Sequence, residues 1–246
     1  MKIRTDFVTN SSSSCFCVSF EVQPINNKKG IKLNFWPDDE DGSGYVYFGI
    51  KNSASDIVTK IRECKTVDEL ASLLINVVRF DFDDILEYDY KMDLKKLNSK
   101  SSTYNEDLLA KLEEISGDFE GDDFDGSGLP LEVLDKVKKF KAALANLKSF
   151  SDIRSVSVIE FYTGWGEFAR DGIRDFMTNA IPEYLDWDDK KAVKEALKGR
   201  FKEGEITAMI NQVKYDNICF FNADIITTID LETGQVEKKY SFDSKT

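Results

Sequence analysis

The sequence predicts an α+β fold, with a mixed, largely antiparallel sheet built from N- and C-terminal strands and helices packed on it. Three observations support this class. Apolar and polar residues alternate from Phe16 to Val22, which is typical of a strand with one buried face. The middle of the chain carries apolar residues at helical spacing between capping signals. Residues 217–231 and 236–242 read as two strands joined by a turn at 232–235.

Three further strand assignments complete the sheet. Residues 15–22, 31–36 and 45–50 are separated by short connections, so we expect these three strands to form an antiparallel meander. Residues 155–163 form a later strand, with Val156 and Val158 on one face. The sheet therefore draws its strands from both ends of the chain.

Helices are predicted by their caps. Ser53 or Ser55 caps the first helix, and Pro130 begins a longer one. Capping boxes are predicted at Thr66–Glu69 and at Thr103–Glu106. After the strand at 155–163, helices are expected over 167–180, 188–198 and 203–213. We expect one domain over residues 1–246, in which residues 53–150 are a candidate helical insertion.

Residues 4–16 read RTDFVTNSSSSCF, a polar tract that leads into the first strand. Such a tract cannot bury apolar surface, so residues 1–14 are predicted to be a flexible leader. The tract resembles a recurrent N-terminal signature, R-(N/T)-(G/D)-F-V-(S/T)-N-S-S-S-S-S-F, of uncharacterised bacterial and phage proteins. Cys15 stands where a fifth serine is usual. The resemblance implies a bacterial or phage origin and a common leader, and the signature's bearers share no activity.

Composition excludes several classes of function. The 246 residues are 41% apolar and include 18 phenylalanines, which indicates a folded chain, and the net charge is −12. An acidic chain is a poor direct ligand for nucleic acid, because phosphate binding needs a basic surface. No apolar run is long enough to span a membrane. Four cysteines without a Cys-x-x-Cys pair predict free thiols and a cytoplasmic location.

The chain contains no histidine, which excludes Ser-His-Asp and Cys-His catalysis and histidine-bound zinc. Catalysis would have to use carboxylates, lysine, tyrosine, cysteine or a metal held by oxygen ligands. No spacing of these residues indicates such a site. We therefore predict no catalytic residue, no metal ligand and no cofactor.

The segment GWGEFA, residues 164–169, lies between a predicted strand and a predicted helix. It fits the form of a dinucleotide fingerprint, but Trp165 is too bulky for close approach of a pyrophosphate, and Glu167 would repel it. An exposed tryptophan near arginines is typical of binding surfaces. The candidate binding residues are Tyr162, Trp165, Glu167, Arg170 and Arg174. In the alternative, Trp165 packs at the edge of the core and the charged residues pair with one another.

Three acidic segments are weaker candidates. The loops at 38–44 and 122–128 resemble calcium loops, but Gly121 stands where the first ligand of the second loop is needed. Turn chemistry accounts for both loops without an ion. Residues 81–93 mix carboxylates with aromatic residues, which suits either an amphipathic helix with a solvated face or a surface for a basic partner.

The sequence therefore favours a cytoplasmic bacterial or phage protein that acts as a non-catalytic protein-interaction or regulatory module. Its leader would be open to processing or to recognition by an unidentified protein partner. Two alternatives stay open. One is an enzyme that uses carboxylates and a divalent metal, drawing on Glu160 and Glu167 or on the acidic loops. The other is an acidic mimic of nucleic acid. The sequence does not define the oligomeric state.

Overall fold

The computed structural model describes residues 15–27, 29–35, 48–51, 53–80, 83–116, 128–165, 169–181, 189–215 and 220–245. These ranges contain seven strands and eight α-helices, and strands from both ends of the chain join one largely antiparallel sheet. The predicted α+β class is confirmed. Within these ranges, no helix combines the length and the apolar character needed to cross a membrane.

Seven strands form the sheet. Its members are β1 (Cys15–Pro24), β2 (Ile31–Asn34), β3 (Phe48–Ile50), β4 (Val78–Phe80), β5 (Ile153–Trp165), β6 (Phe220–Asp230) and β7 (Val236–Lys245). The spatial order is β4-β3-β1-β5-β6-β7, and β2 pairs with β1 beside β3. β1 runs antiparallel to β5 along its whole length, and β5–β6 and β6–β7 are also antiparallel.

The predicted N-terminal meander is wrong. β2 is antiparallel to β1, as expected, but it covers only residues 19–22 of β1. The next strand, β3, pairs with β1 in parallel, with Cys17 opposite Phe48, on the part of the same edge that β2 leaves open. The other side of β3 pairs with β4, a three-residue strand that the sequence analysis missed.

Most predicted helices are present. They are α1 (Ala54–Glu63), α2 (Val67–Asn76), α3 (Asp83–Tyr88), α4 (Tyr104–Ser116), α5 (Leu129–Leu144), α6 (Ala169–Ala180), α7 (Lys190–Leu197) and α8 (Glu203–Tyr215). The Ser53 hydroxyl caps α1 by accepting from the Asp56 backbone amide. The capping box of Thr66 and Glu69 on α2 is confirmed.

The second predicted capping box, Thr103–Glu106, is wrong. The Glu106 carboxylate turns toward α2 and α5, where it accepts hydrogen bonds from Ser72, Asn76 and Lys141. Burial acts to raise the pKa of Glu106, but these three bonds outweigh it and lower the pKa. Contacts between helices thus hold the Glu106 carboxylate, which the sequence pattern had placed at the backbone of its own helix.

The helices cover one face of the sheet in two groups. The first hydrophobic cluster joins β1, β2 and the N-terminal half of β5 to helices α1 to α5. The second joins the C-terminal half of β5, with β6 and β7, to α6, α7 and α8. The segment 53–150, predicted as a helical insertion, therefore contributes most of the first cluster and also supplies β4 to the sheet.

A buried amide ties α2 and β4 to α4. The Asn105 side chain is 1% exposed. Its Nδ2 donates to the backbone carbonyls of Ile75 at 2.7 Å and Val78 at 2.8 Å, and its Oδ1 accepts from Lys51 Nζ at 3.2 Å. Burial lowers the pKa of Lys51. One side chain therefore satisfies two buried carbonyls at the end of α2.

We expect Asn105→Ala to lower the free energy of unfolding by about 2–4 kcal/mol, because two buried carbonyls lose their side-chain donor. Urea denaturation measures this difference. Asn146→Ala is the matched control, since Asn146 also donates to a carbonyl, that of Ala142 at 3.1 Å, but is exposed. It should cost less than about 1 kcal/mol. Equal losses in the two variants would contradict the role assigned to Asn105.

Candidate functional site

The two faces of the sheet have different chemistry. Opposite residues in an antiparallel pair lie on the same face, so the register places Val18, Glu160 and Ile225 on one side. We call this side the covered face, because the residues of β1, β5 and β6 that belong to the two clusters lie on it. The other side, with Ser19, Ile159 and Ile226, is called the open face. Ser19, Ile159 and Ile226 belong to neither hydrophobic cluster.

A groove of about 1300 Å³ lies along the open face and extends to the turn between α7 and α8. We call it the sheet groove. Ile159 and Phe161 of β5 contribute apolar surface, and Asn222 and Asp224 of β6 contribute polar groups. Its other lining residues are Ser19, Phe20, Lys32, Asn34, Gly199, Arg200, Phe201, Lys202, Glu205, Tyr240, Ser241, Phe242 and Asp243. An apolar surface with a few convergent polar groups is typical of a binding site.

Two hydrogen-bond acceptors lie side by side in the groove. Asn222 and Asp224 are two residues apart on β6, so both belong to the open face. The Asn222 Oδ1 atom is buried and has no hydrogen-bond partner among the described residues. Burial raises the pKa of Asp224, while the Ser241 hydroxyl, which donates to its Oδ2 at 2.8 Å, acts to lower it. A ligand that donates hydrogen bonds would satisfy both groups.

The rim of the groove carries both signs of charge. Lys32 forms an ion pair of 3.3 Å with Glu21 beside the groove. Arg200 and Lys202 lie in the turn before α8, and Glu205 accepts from the Lys202 backbone amide at 2.8 Å. No cluster of three potential metal ligands occurs in the described part of the chain. The groove itself is therefore close to electrically balanced.

Glu160 is a second unusual carboxyl, and it lies on the covered face. It is 8% exposed and occupies β5 between the residues of the two clusters. Burial raises the pKa of Glu160 to about 7, while the charge of Lys238 and the Tyr162 hydroxyl act to lower it. The neighbouring Thr227 is fully buried, and its hydroxyl has no partner within the described ranges. A narrow polar strip thus separates the two clusters.

The predicted binding residues around Trp165 are described only in part. Tyr162 is 1% exposed and packs edge-to-face against Phe176 at 5.5 Å, inside the second cluster. Arg174 is half-buried on α6. Trp165 ends β5 opposite Phe220, but its side chain and that of Arg170 lie outside the described residues, as does all of Glu167. The structure brings Tyr162 and α6 together, and the predicted surface as a whole stays a prediction.

The remaining sequence features are the acidic loops, the leader, the acidic-aromatic segment and the cysteines. The acidic loop 38–44 and residues 122–127 of the second loop are outside the described residues, as is the leader, and Gly128 is the N-cap of α5. In the acidic-aromatic segment 81–93, only Asp83–Tyr88 is helical, and Tyr88 is 69% exposed while Tyr90 is buried. Cys17 is buried and Cys64 is half-buried.

The sequence analysis missed Asn222 and Asp224 because it treated residues 217–231 as a hydrophobic strand. A signal was present: Asn222, Asp224 and Thr228 fall on alternate positions, which places them on one face. What the sequence did not show is that this face meets Phe161 of β5, which is far away along the chain.

Comparisons of the chain with models of protein families, with curated proteins and with solved structures give no match. The sheet groove and its side chains are thus the principal guide to function.

Glu160 predicts a dependence of stability on pH. A carboxyl whose pKa rises from 4.5 to about 7 on folding stays protonated in the folded state while the unfolded chain ionises. Stability should therefore fall as pH increases between these values. Relative to Glu160→Gln, the wild type should lose about 3 kcal/mol over this interval. Urea denaturation at a series of pH values measures the difference.

Asp230→Asn provides a control of opposite sign. The backbone amide and hydroxyl of Thr233 lower the pKa of Asp230, so its contribution is present above pH 3.8 and is lost as the pH falls through the lower, folded-state value. A wild type whose stability relative to Glu160→Gln is independent of pH would contradict the burial of an ionisable Glu160.

Proposed function

We propose that this chain is a non-catalytic protein-interaction module that binds a segment of a partner protein in the sheet groove. The observation that carries the proposal is the pair of acceptors, Asn222 Oδ1 and the Asp224 carboxyl, beside the apolar surface of Ile159 and Phe161. Such a surface recognises hydrogen-bond donors next to apolar groups. The small number of cysteines, four, and the N-terminal signature support a bacterial or phage protein of the cytoplasm.

The partner segment would carry an arginine or a lysine flanked by an apolar residue. A cationic side chain supplies several N–H donors, and hydrogen bonds to a carboxylate are stronger than those between neutral groups. The apolar neighbour would lie on Phe161. The net charge of −12 would also attract a basic partner over longer distances and increase its association rate.

A peptide library tests this specificity. We expect the wild-type protein to enrich peptides that contain arginine or lysine beside an apolar residue. Asp224→Asn and Asn222→Leu should each weaken binding of an enriched peptide by about 10- to 100-fold, because each removes one acceptor from a buried hydrogen bond. Isothermal titration calorimetry with one enriched peptide measures the change in dissociation constant.

Thr228→Val is the matched control, because Thr228 lies on the same strand and face but bonds to Ser157 at 2.8 Å, outside the groove. It should bind the peptide as the wild type does. Trp165→Ala tests the surface predicted from the sequence. Loss of binding in Trp165→Ala with normal binding in Asp224→Asn would move the site to the end of β5 and overturn the groove as the binding surface.

A catalytic function is the second candidate, and one observation favours it. The groove contains Asp224, whose pKa is raised, and is also lined by Asp243 and Glu205. Carboxyls with raised pKa values in a groove are typical of acid–base sites. Thermal unfolding in the presence of divalent metals would distinguish this candidate. A metal at about a hundred times its dissociation constant would add about 2.7 kcal/mol, and Asp224→Asn would remove the gain.

The mimicry of nucleic acid has less support. An imitator needs a continuous negative surface, whereas lysines alternate with carboxylates in the described ion pairs on α4, α5 and α7. The groove rim also carries Lys32, Arg200 and Lys202. Binding that depends strongly on salt, to a DNA-binding protein, would restore this alternative.

The leader, residues 1–14, would serve as a separate recognition or processing element. We expect deletion of residues 1–13 to leave the thermal unfolding midpoint unchanged, because the first cluster begins at Val18. The deletion should reduce capture of a partner from the native host. The intact mass of the protein purified from that host would show whether the leader is removed. A full-length mass together with unchanged capture would contradict the leader hypothesis.

A further inference from the structure

We propose that two copies of this chain pair antiparallel through β7, in the register centred on Ser241. The pairing does not require a ligand in the sheet groove, although Ser241 and Asp243 also line it. β7 is the last strand in the sheet order, and within the described residues it pairs with β6 alone. Its outer edge therefore presents backbone donors and acceptors that a further strand can use.

Most of the described side chains of β7 are exposed to solvent. Val236 is 43% exposed, and the side chains of Glu237 and Lys239 are 64% and 66% exposed. Glu237 and Lys239 form an ion pair of 3.2 Å with each other, which is worth little at this exposure and can be exchanged for another partner. Phe242 is buried and Tyr240 is half-buried, and both lie on the covered face.

Charge selects the partner strand. Charged residues on an edge strand normally discourage pairing with arbitrary strands. On β7 they are complementary when two copies pair about Ser241. When the two-fold axis passes through Ser241, Lys239 of each copy lies opposite Asp243 of the other, and both residues belong to the open face. Opposite charges in directly facing positions stabilise a strand pair.

Neighbouring registers are less favourable. A two-fold axis through Tyr240 would set Glu237 against Asp243 of the other copy, which are like charges. An axis through Phe242 would set Lys239 against position 245, a lysine in the sequence. The Ser241 register also sets Tyr240 opposite Phe242 on the covered face, so aromatic residues of the two second clusters would meet. An axis through Lys238 would pair Glu237 with Lys239 but would set Lys238 against itself. The Ser241 register is the one of these four that places no like charges opposite each other.

A charge exchange tests the pairing. The wild type should sediment as a dimer that weakens as salt increases, because exposed ion pairs are screened. Lys239→Glu alone and Asp243→Lys alone each place like charges opposite each other twice, and each should weaken the dimer by roughly 10- to 30-fold. The double variant should restore the dimer. Lys191→Glu, an exposed substitution on α7, controls for the change in net charge.

Cross-linking tests the register itself. At the two-fold axis, residue 241 faces its own copy at about 4.5–5.5 Å between Cα atoms, which suits a disulfide. Ser241→Cys should therefore form a covalent dimer on oxidation, while Lys239→Cys and the wild type should not. A monomer at every concentration would overturn the proposal. A dimer whose stability does not change in the charge variants would also overturn it, as would a dimer that cross-links through position 239.

Discussion

The register between β1, β5 and β6 is the constraint on which the rest of the molecule depends. Side chains alternate between faces, so a shift of one residue would exchange the faces of a whole strand. Such a shift of β6 would turn Asn222 and Asp224 into the second cluster and expose Phe221 and Ile225. Burying an unpaired carboxylate in a core costs several kcal/mol. The same alternation that builds the core therefore also places the polar residues of the groove.

The covered face contains one exception to its apolar character, and the exception separates the two helical groups. Glu160 and Thr227 lie on β5 and β6 between the residues of the two clusters, and neither belongs to a cluster. A buried carboxyl destabilises the fold when it is ionised, and Lys238 at the edge strand offsets part of this cost. The two groups are thus held to one sheet mainly by the strands, and less by contact with each other.

Local patterns predicted what local contacts determine. The alternation in β1 and β6, the Ser53 cap and the Thr66–Glu69 box were all readable, because each depends on residues within a few positions. The errors have a common physical origin. Glu106 left its predicted capping box for Ser72 and Lys141 on other helices, and β3 joined β1 because β2 occupies only part of that edge. The groove likewise depends on how strands far apart in sequence are arranged in the sheet, and a single sequence does not predict that arrangement.

Ser241 connects the two surfaces that this sheet offers. Its hydroxyl donates to Asp224 in the groove, and its backbone lies at the proposed two-fold axis on β7. Pairing through β7 would therefore bring two grooves side by side on a continuous open face, with Asp243 lining the groove and facing Lys239 of the other copy. A partner with two basic segments could then occupy both grooves, and the second contact would form at a high effective concentration. Weak binding in each groove would become tight binding to the pair, which is a useful property for a module with a shallow and electrically balanced site.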